Sequence, residues 1–224
     1  MFTGIVQALG KIEAIERGDG DVRMTFSCGE LATTALARGD SIALNGVCLT
    51  VTDIAGGRIS VDISGETLGC TTLADIQCGD PINLEKALLP TTALSGHFVS
   101  GHVDGVGIVN KVTKDGSSIR LCIKVPGHLA RYIATKGSVS VDGVSLTVNK
   151  IQGSEFEVNI IPHTSTVTIL GDYSAGKRVN IEVDIIARYL ERLLNAVTGR
   201  DKPESTVTRA FLIEHGYIKD SNTD

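Results

Sequence analysis

Cys48 and Ser145 occupy the same place in one repeated phrase: residues 45–51 read NGVCLTV and residues 142–148 read DGVSLTV, five of seven letters recurring. A thiol and a hydroxyl can both polarise or add to an electrophilic carbon, the thiol being the more polarisable and the more acidic. Thr50 and Thr147, two residues further on, give each copy a hydroxyl for hydrogen bonding. Asn-Gly and Asp-Gly are strong hairpin signals, and a turn explains the first letters of both phrases without any function. It does not explain the polar residue that opens the next strand in both copies, or the recurring threonine. These side chains are expected at the mouth of a barrel, where a ligand would sit.

A second cluster is SGHFVSGHVDGVG, residues 95–107, with His97 and His102 five apart among glycines. A neutral imidazole moves protons near neutral pH. No third or fourth ligand follows at metal-site spacing, so acid–base chemistry ranks above metal binding and no metal is expected. The stretch also lacks a GK[ST] sequence and the strand–helix frame of a dinucleotide site. A third pair, DISGETLGCTTL (62–73) and NIIPHTSTVTIL (159–170), leaves a strand through a turn and presents hydroxyls and backbone donors suited to a polar heterocycle.

The elements that position these groups follow from the repeat. The two phrases lie 142 − 45 = 97 residues apart, too far for a solenoid. The same offset pairs Gly4 with Gly101, Val6 with Val103, Gly10 with Gly107, Val61 with Val158, Thr67 with Thr164, Asn83 with Asn180 and Glu85 with Glu182. One slip, to 98, relates Gly29-Glu30-Leu31-Ala32 to Gly127-His128-Leu129-Ala130, and Asp40 restores the register. This predicts a duplicated domain of about 90 residues. Alternating runs such as Ser41–Leu44, Leu49–Thr52 and Ile59–Ile63, bounded by Gly-Asp, Asn-Gly and Gly-Gly, read as antiparallel strands. Val139–Val141, Leu146–Asn149, Phe156–Ile161 and Val179–Val183 match them, so each half is expected to close into a small β-barrel. ALLPTTALSGH, residues 87–97, suits a short linker, and the spacing of Ile186, Leu190, Leu193 and Val197 predicts one amphipathic helix. The tail beyond Gly199 holds the cluster Phe211-Leu212-Ile213, enough for one short helix.

A net charge of −5 and the lack of Trp argue against a nucleic-acid surface. The amino terminus alternates apolar and polar residues and carries acids early, unlike a secretory signal, and no membrane-spanning stretch is seen. Five cysteines, odd in number and without CxxC spacing, read as reduced cytoplasmic thiols.

With MFTGIV, NGVCLTV, SGHFVSGHVDG, KGSVSVDGVSLTV, IIPHT and NIEVD in this order, the chain resembles riboflavin synthases from residue 1 to about 198. The resemblance implies an all-β fold of two tandem duplicated six-stranded Greek-key β-barrels followed by a C-terminal α-helix. It implies lumazine-binding barrels over 1–96 and 97–185, and a trimerisation helix and tail over 186–224. The implied reaction is a transferase dismutation of two 6,7-dimethyl-8-ribityllumazine molecules, without a cofactor, into riboflavin and 5-amino-6-ribitylaminouracil. A homotrimer is implied, and association with a lumazine synthase stays open. By motif, the first pocket takes Gly4, Ile5 and Val6, Cys48, Leu49 and Thr50, and Asp62, Ile63, Ser64, Gly65, Glu66 and Thr67, with Ser41 and His102 near the reacting carbons. The second takes Gly101, His102 and Val103, Lys136, Ser145, Leu146 and Thr147, and Asn159, Ile161, Pro162, His163, Thr164 and Thr166, with Asp184 nearby. His102, Cys48, Ser41 and Asp184 are the expected catalytic residues. Ser165 and Thr166 stand where the family commonly has Leu-Glu. The alternative is a non-catalytic lumazine- or flavin-binding antenna built on the same barrels.

Overall fold

The 97-residue repeat is carried by two barrels of the same strand order, bulges included. The computed structural model describes residues 1–18, 20–31, 36–198, 209–215 and 217. Strands β1 (Ala8–Arg17), β2 (Val22–Ser27), β3 (Ser41–Leu44), β4 (Val47–Ala55), β5 (Arg58–Ile63) and β6 (Pro81–Lys86) close into a barrel in the order β1-β2-β5-β4-β3-β6. Strands β7 (Gly105–Asp115), β8 (Ser118–Lys124), β9 (Ser138–Val141), β10 (Val144–Gln152), β11 (Glu155–Ile160) and β12 (Arg178–Val183) repeat that order in a second closed barrel. Register shifts fall between Ile12 and Ala14 in β1 and between Val51 and Asp53 in β4, and recur 97 residues later at Val109/Lys111 and Val148/Lys150. Bulges increase strand twist, and recurrence at one offset shows that barrel curvature was duplicated with the chain.

Alternation sets which face of each strand is buried. Val47, Leu49 and Val51 point into the first core with Ile59, Val61 and Ile63, while Cys48 and Thr50 lie on the outer face. Val144, Leu146 and Val148 do the same in the second barrel, leaving Ser145 and Thr147 outside. Both interiors are filled by side chains. The expectation that Cys48 and Ser145 stand at a barrel mouth is therefore corrected, because residues i and i+2 share a face and the inward face belongs to the intervening aliphatic residues.

The barrels meet through their duplicated turns. Asn45 Oδ1 accepts from Asn83 N at 2.8 Å, and Asp142 Oδ1 accepts from Asn180 N at 2.8 Å. The two amides then reach across: Asn83 Nδ2 donates to Asp142 O and Asn180 Nδ2 to Asn45 O, both at 2.9 Å. Their Oδ1 atoms accept from Ile169 N and Thr72 N, again in the opposite barrel. Buried amides with their bonds made fix one geometry, since any other leaves polar groups dry and unpaired. A Cβ on Gly46 would lie 2.6 Å from Gly143 N, so two glycine turns can abut where larger residues would not.

The segments after β5 and β11, expected to be turns, form short helices α1 (Gly65–Cys70) and α3 (Pro162–Val167), with α2 (Gly127–Ala130) preceding β9. Ser64 caps α1 by accepting from Thr67 N, and Pro162 opens α3, where a missing N–H costs nothing. From Ile186 on, the described residues form a separate unit holding α4 (Ile185–Thr198) and α5 (Arg209–Glu214). The first carries the apolar stripe expected from spacing, and the second includes Phe211-Leu212-Ile213. Ala32 of the register slip and residues 199–208 of the tail lie outside the described residues. Among the described residues no helix is long and apolar enough to cross a membrane.

Candidate active site

The outer face of the β3–β4 hairpin gathers the first set of reactive side chains. Cys48 faces Ala43 and Thr50 faces Ser41 across the ladder, so Ser41, Cys48 and Thr50 share one patch. One register step beyond the Val51–Val61 pair brings Asp62 alongside Thr50, and Asp62 faces Arg23 on β2. Arg23 grips that carboxylate with Nε at 2.7 Å and Nη2 at 3.1 Å. This hydrogen bond, then the cation's charge, holds the Asp62 pKa below the ordinary carboxylate value. α1 follows, setting Ser64 and Thr67 at the end of the row, their hydroxyls 3.1 Å apart.

The second barrel repeats the row with different chemistry. Ser138 faces Thr147 and Ser140 faces Ser145, and the step beyond Val148–Val158 brings Asn159 alongside Thr147. Asn159 replaces Asp62, and its Oδ1 is buried without a hydrogen-bond partner. Unpaired buried acceptors are costly, and one beside an open polar face is available to a ligand donor. Lys136 has φ +67 and Gly39 φ +92, and their equivalence at an offset of 97 corrects the expectation that Asp40 is the residue restoring the register. Both backbones turn so that the N–H bonds back to the strand, Lys136 N to Val148 O and Gly39 N to Val51 O. Ile161, Pro162 and His163 are exposed beside Thr164 and Thr166, whose hydroxyl bonds Pro162 O at 2.9 Å.

The segments outside the strands are exchanged between barrels. Cys48 N donates to Gly101 O at 2.8 Å, and Ser145 N donates to Gly4 O at 2.7 Å. Val103 packs on the first core and Val6 on the second. The expected grouping is corrected accordingly: Gly4, Ile5 and Val6 lie with Ser145, and Gly101, His102 and Val103 lie with Cys48. Close approach demands glycine at both crossings. A Cβ on Gly101 would lie 2.5 Å from Cys48 Cβ, and one on Gly4 would lie 2.6 Å from Ser145 Cβ, with φ of +83 and +75. His102, exposed, is thus placed at the first barrel's patch, with Ile5 in the matching place at the second.

The sequence flags His97 beside His102 as an acid–base candidate but places it in neither pocket, and Phe2 and Ser138 are not singled out as site residues. His97 Nδ1 lies 2.7 Å from Ser145 Oγ, while its Nε2 is buried and unpartnered. Burial pushes the His97 pKa down, and the charge of Asp184 acts in the opposite sense. Phe2 is fully buried with Val99 and Ala43 and supports Cys48 and Gly101 from behind. Ser138 was available from the 97-residue offset to Ser41; the other two contacts leave no spacing signal. Among the described residues no group of three or more His, Cys, Asp or Glu side chains is arranged to hold a metal.

A cavity of about 360 Å³ lies between the barrels on the side of Asn45 and Asp142, lined also by Asp75, Asp172, Tyr173 and Lys177. None of the candidate catalytic side chains lines it.

Known proteins share this fold and its duplication. The lumazine binding domain family matches residues 3–87 and again 100–184. Solved structures of LumP bound to riboflavin and to 6,7-dimethyl-8-(1'-D-ribityl) lumazine superimpose with TM-scores of 0.77 and 0.74, at 28% and 27% identity. Each covers 82% of this chain and 99% of the LumP chain. The fold and its paired faces define a protein of tandem lumazine-binding domains. Riboflavin synthase of Photobacterium phosphoreum is 44% identical over 218 residues, covering 97% of this chain and all of that one. The Bacillus subtilis enzyme is 37% identical with the same coverage, and that of Mycobacterium tuberculosis is 41% identical over 88% of this chain and 99% of its own. The chain belongs to the riboflavin synthase family.

Proposed function

We propose that this protein is a riboflavin synthase that transfers a four-carbon unit between two molecules of 6,7-dimethyl-8-ribityllumazine. The observation that carries this reading is the doubling of one polar outer face on two barrels, each completed by a segment exchanged from the other half. A reaction between two copies of one substrate needs two similar sites that act differently. The pairs Cys48/Ser145, Asp62/Asn159 and His102/Ile5 supply the difference.

The lumazine C7 methyl is acidic because its carbanion delocalises into the pyrazine ring, so a side-chain base suffices to generate a carbon nucleophile. His102 at the first face, and His97 through Ser145 at the second, are the proposed proton carriers, with Asp184 near His97. Cys48 and Ser41 polarise or add to the ring, while Thr50 and Thr147 donate hydrogen bonds. Holding both rings in near-attack geometry supplies up to about 7–11 kcal/mol of the barrier reduction. Both faces lie outside their barrels, so closing them requires another surface. We extend the proposal to a homotrimer in which the first barrel of one chain stacks its ligand on that of a neighbour's second barrel. The exposed apolar residues Ile186, Leu190, Leu193 and Val197 of α4 fit such an assembly. All five cysteines are free, consistent with a proposed cytoplasmic location.

An isotope-mixing experiment tests the transfer. Substrate labelled in the four transferable carbons is mixed with an equal amount of unlabelled substrate. Riboflavin carrying one labelled and one unlabelled four-carbon unit should be the most abundant product. Bound lumazine that exchanges no carbon would establish the antenna reading instead.

A further inference from the structure

Glu85 and Glu182 are buried at equivalent places on β6 and β12, at 4% exposure each. Each carboxylate accepts from three donors, equivalent in the two halves. Glu85 Oε1 accepts from Thr3 N and Thr3 Oγ1, both at 2.7 Å, and Oε2 from Gly4 N at 3.0 Å. Glu182 Oε1 accepts from Ser100 N at 2.6 Å and Ser100 Oγ at 2.7 Å, and Oε2 from Gly101 N at 2.9 Å. Burying a carboxylate is expensive, and these donors are what offset the cost.

The groups so held belong to no barrel strand. Residues 3–7 and 100–104 run outside the ladders, and Gln7 Oε1 on Lys86 N and Asp104 Oδ2 on Val183 N fix their far ends. After its glutamate, each segment crosses over: Gly4 meets Ser145 and Val6 the second core, while Gly101 meets Cys48 and Val103 the first. An apolar side chain could fill the glutamate's volume, but it could not hold two successive backbone N–H groups and a hydroxyl in register.

We propose that Glu85 and Glu182 are positioning residues that act across the barrels: Glu85, a first-barrel residue, sets the ligand face of the second barrel, and Glu182, a second-barrel residue, sets that of the first. The inference rests on the reading that both faces bind lumazine. It assigns to each site a control residue opposite to the one that domain membership would suggest.

The test uses Glu85→Gln and Glu182→Gln in the full-length chain, with methyl resonances of Val6 and Val103 as reporters. The glutamine keeps one acceptor oxygen and turns an N–H₂ toward the glycine N–H. Titration is with 6,7-dimethyl-8-ribityllumazine at a temperature where turnover is slow. Glu182→Gln should weaken the Val103 response at least tenfold and leave the Val6 response unchanged; Glu85→Gln should do the reverse. Riboflavin formation should fall at least tenfold in both, because the reaction needs both sites. If a glutamine variant does not fold, Thr3→Ala and Ser100→Ala each remove one donor and should show the same crossed pattern in weaker form. Equal loss at both valines, loss at the site of the glutamate's own barrel, or no loss would overturn the inference. Wild-type protein with no lumazine response at either valine would overturn the functional reading beneath it.

Discussion

Asp142 and Asn45 hold the same place in the two inter-barrel turns, but only one of them titrates. Burial raises the Asp142 pKa to about 6, against hydrogen bonds from Tyr173 and Asn180 N that favour the carboxylate. The folded chain therefore holds a proton that the unfolded chain releases near the ordinary aspartate value of 3.8. A carboxylate pKa raised from 3.8 to about 6 makes folding less favourable as pH rises between these values, by about 3 kcal/mol in all. Asp142→Asn copies the first turn and keeps an acceptor for Asn180 N. Denaturant unfolding near pH 5 and near pH 8 should show this variant gaining stability over wild type at the higher pH, by an amount on the order of 2 kcal/mol. An unchanged difference between the two pH values would mean that Asp142 ionises freely. Much at this scale was legible: Cys48, Thr50, Ser145 and Thr147 lie on one face because alternation dictates it. The His97–Ser145 bond was not, since a contact across 48 residues between a loop and a strand leaves no periodic trace.

At the scale of elements, the exchanged segments decide which residues meet. The sequence paired Gly4 with Gly101 correctly, but an offset of 97 is the same whether each segment packs on its own barrel or on the other. Only the cores to which Val6 and Val103 belong distinguish the two arrangements. The strands were legible from alternation and turn residues. The helices α1 and α3 were hidden because six residues, GETLGC and PHTSTV, are too few to display a helical period. Gly101→Ala should cost about 1–3 kcal/mol from backbone strain, with crowding against Cys48 added. It should also weaken lumazine binding at the first face. Gly39→Ala provides the contrast: its φ is positive too, but no atom lies within 4 Å of the added Cβ, and Lys136 shows that a side chain fits the equivalent turn. Its cost should stay near 1 kcal/mol with binding unchanged. Denaturation midpoints and fluorescence titration check both variants, and equal binding by the two would remove the crossing from the site.

For the molecule as a whole, duplication accounts for the shared architecture, and the divergent pairs Cys48/Ser145, Asp62/Asn159 and His102/Ile5 for the chemical difference between the two faces. The closed barrels present two outer faces, and the Asn83 and Asn180 crossbridges hold one barrel against the other. Neither face is closed by its own barrel. Truncation before Ile185 removes the apolar stripe of α4 and should give separate chains that bind lumazine but form riboflavin at least a hundredfold more slowly. Sedimentation and turnover measured on the same sample check this, and a monomer of full activity at low protein concentration would defeat the inter-subunit site.

The central claim is that two similar faces, one on each barrel, hold two molecules of one substrate and carry four carbons from one to the other. Product stoichiometry tests it most directly. Purified protein is incubated with 6,7-dimethyl-8-ribityllumazine alone, with no added metal, nicotinamide or flavin, and the products are separated and quantified. The account predicts one riboflavin and one 5-amino-6-ribitylaminouracil for every two lumazines consumed. Lumazine that binds tightly and is recovered intact, with no riboflavin formed, would contradict it.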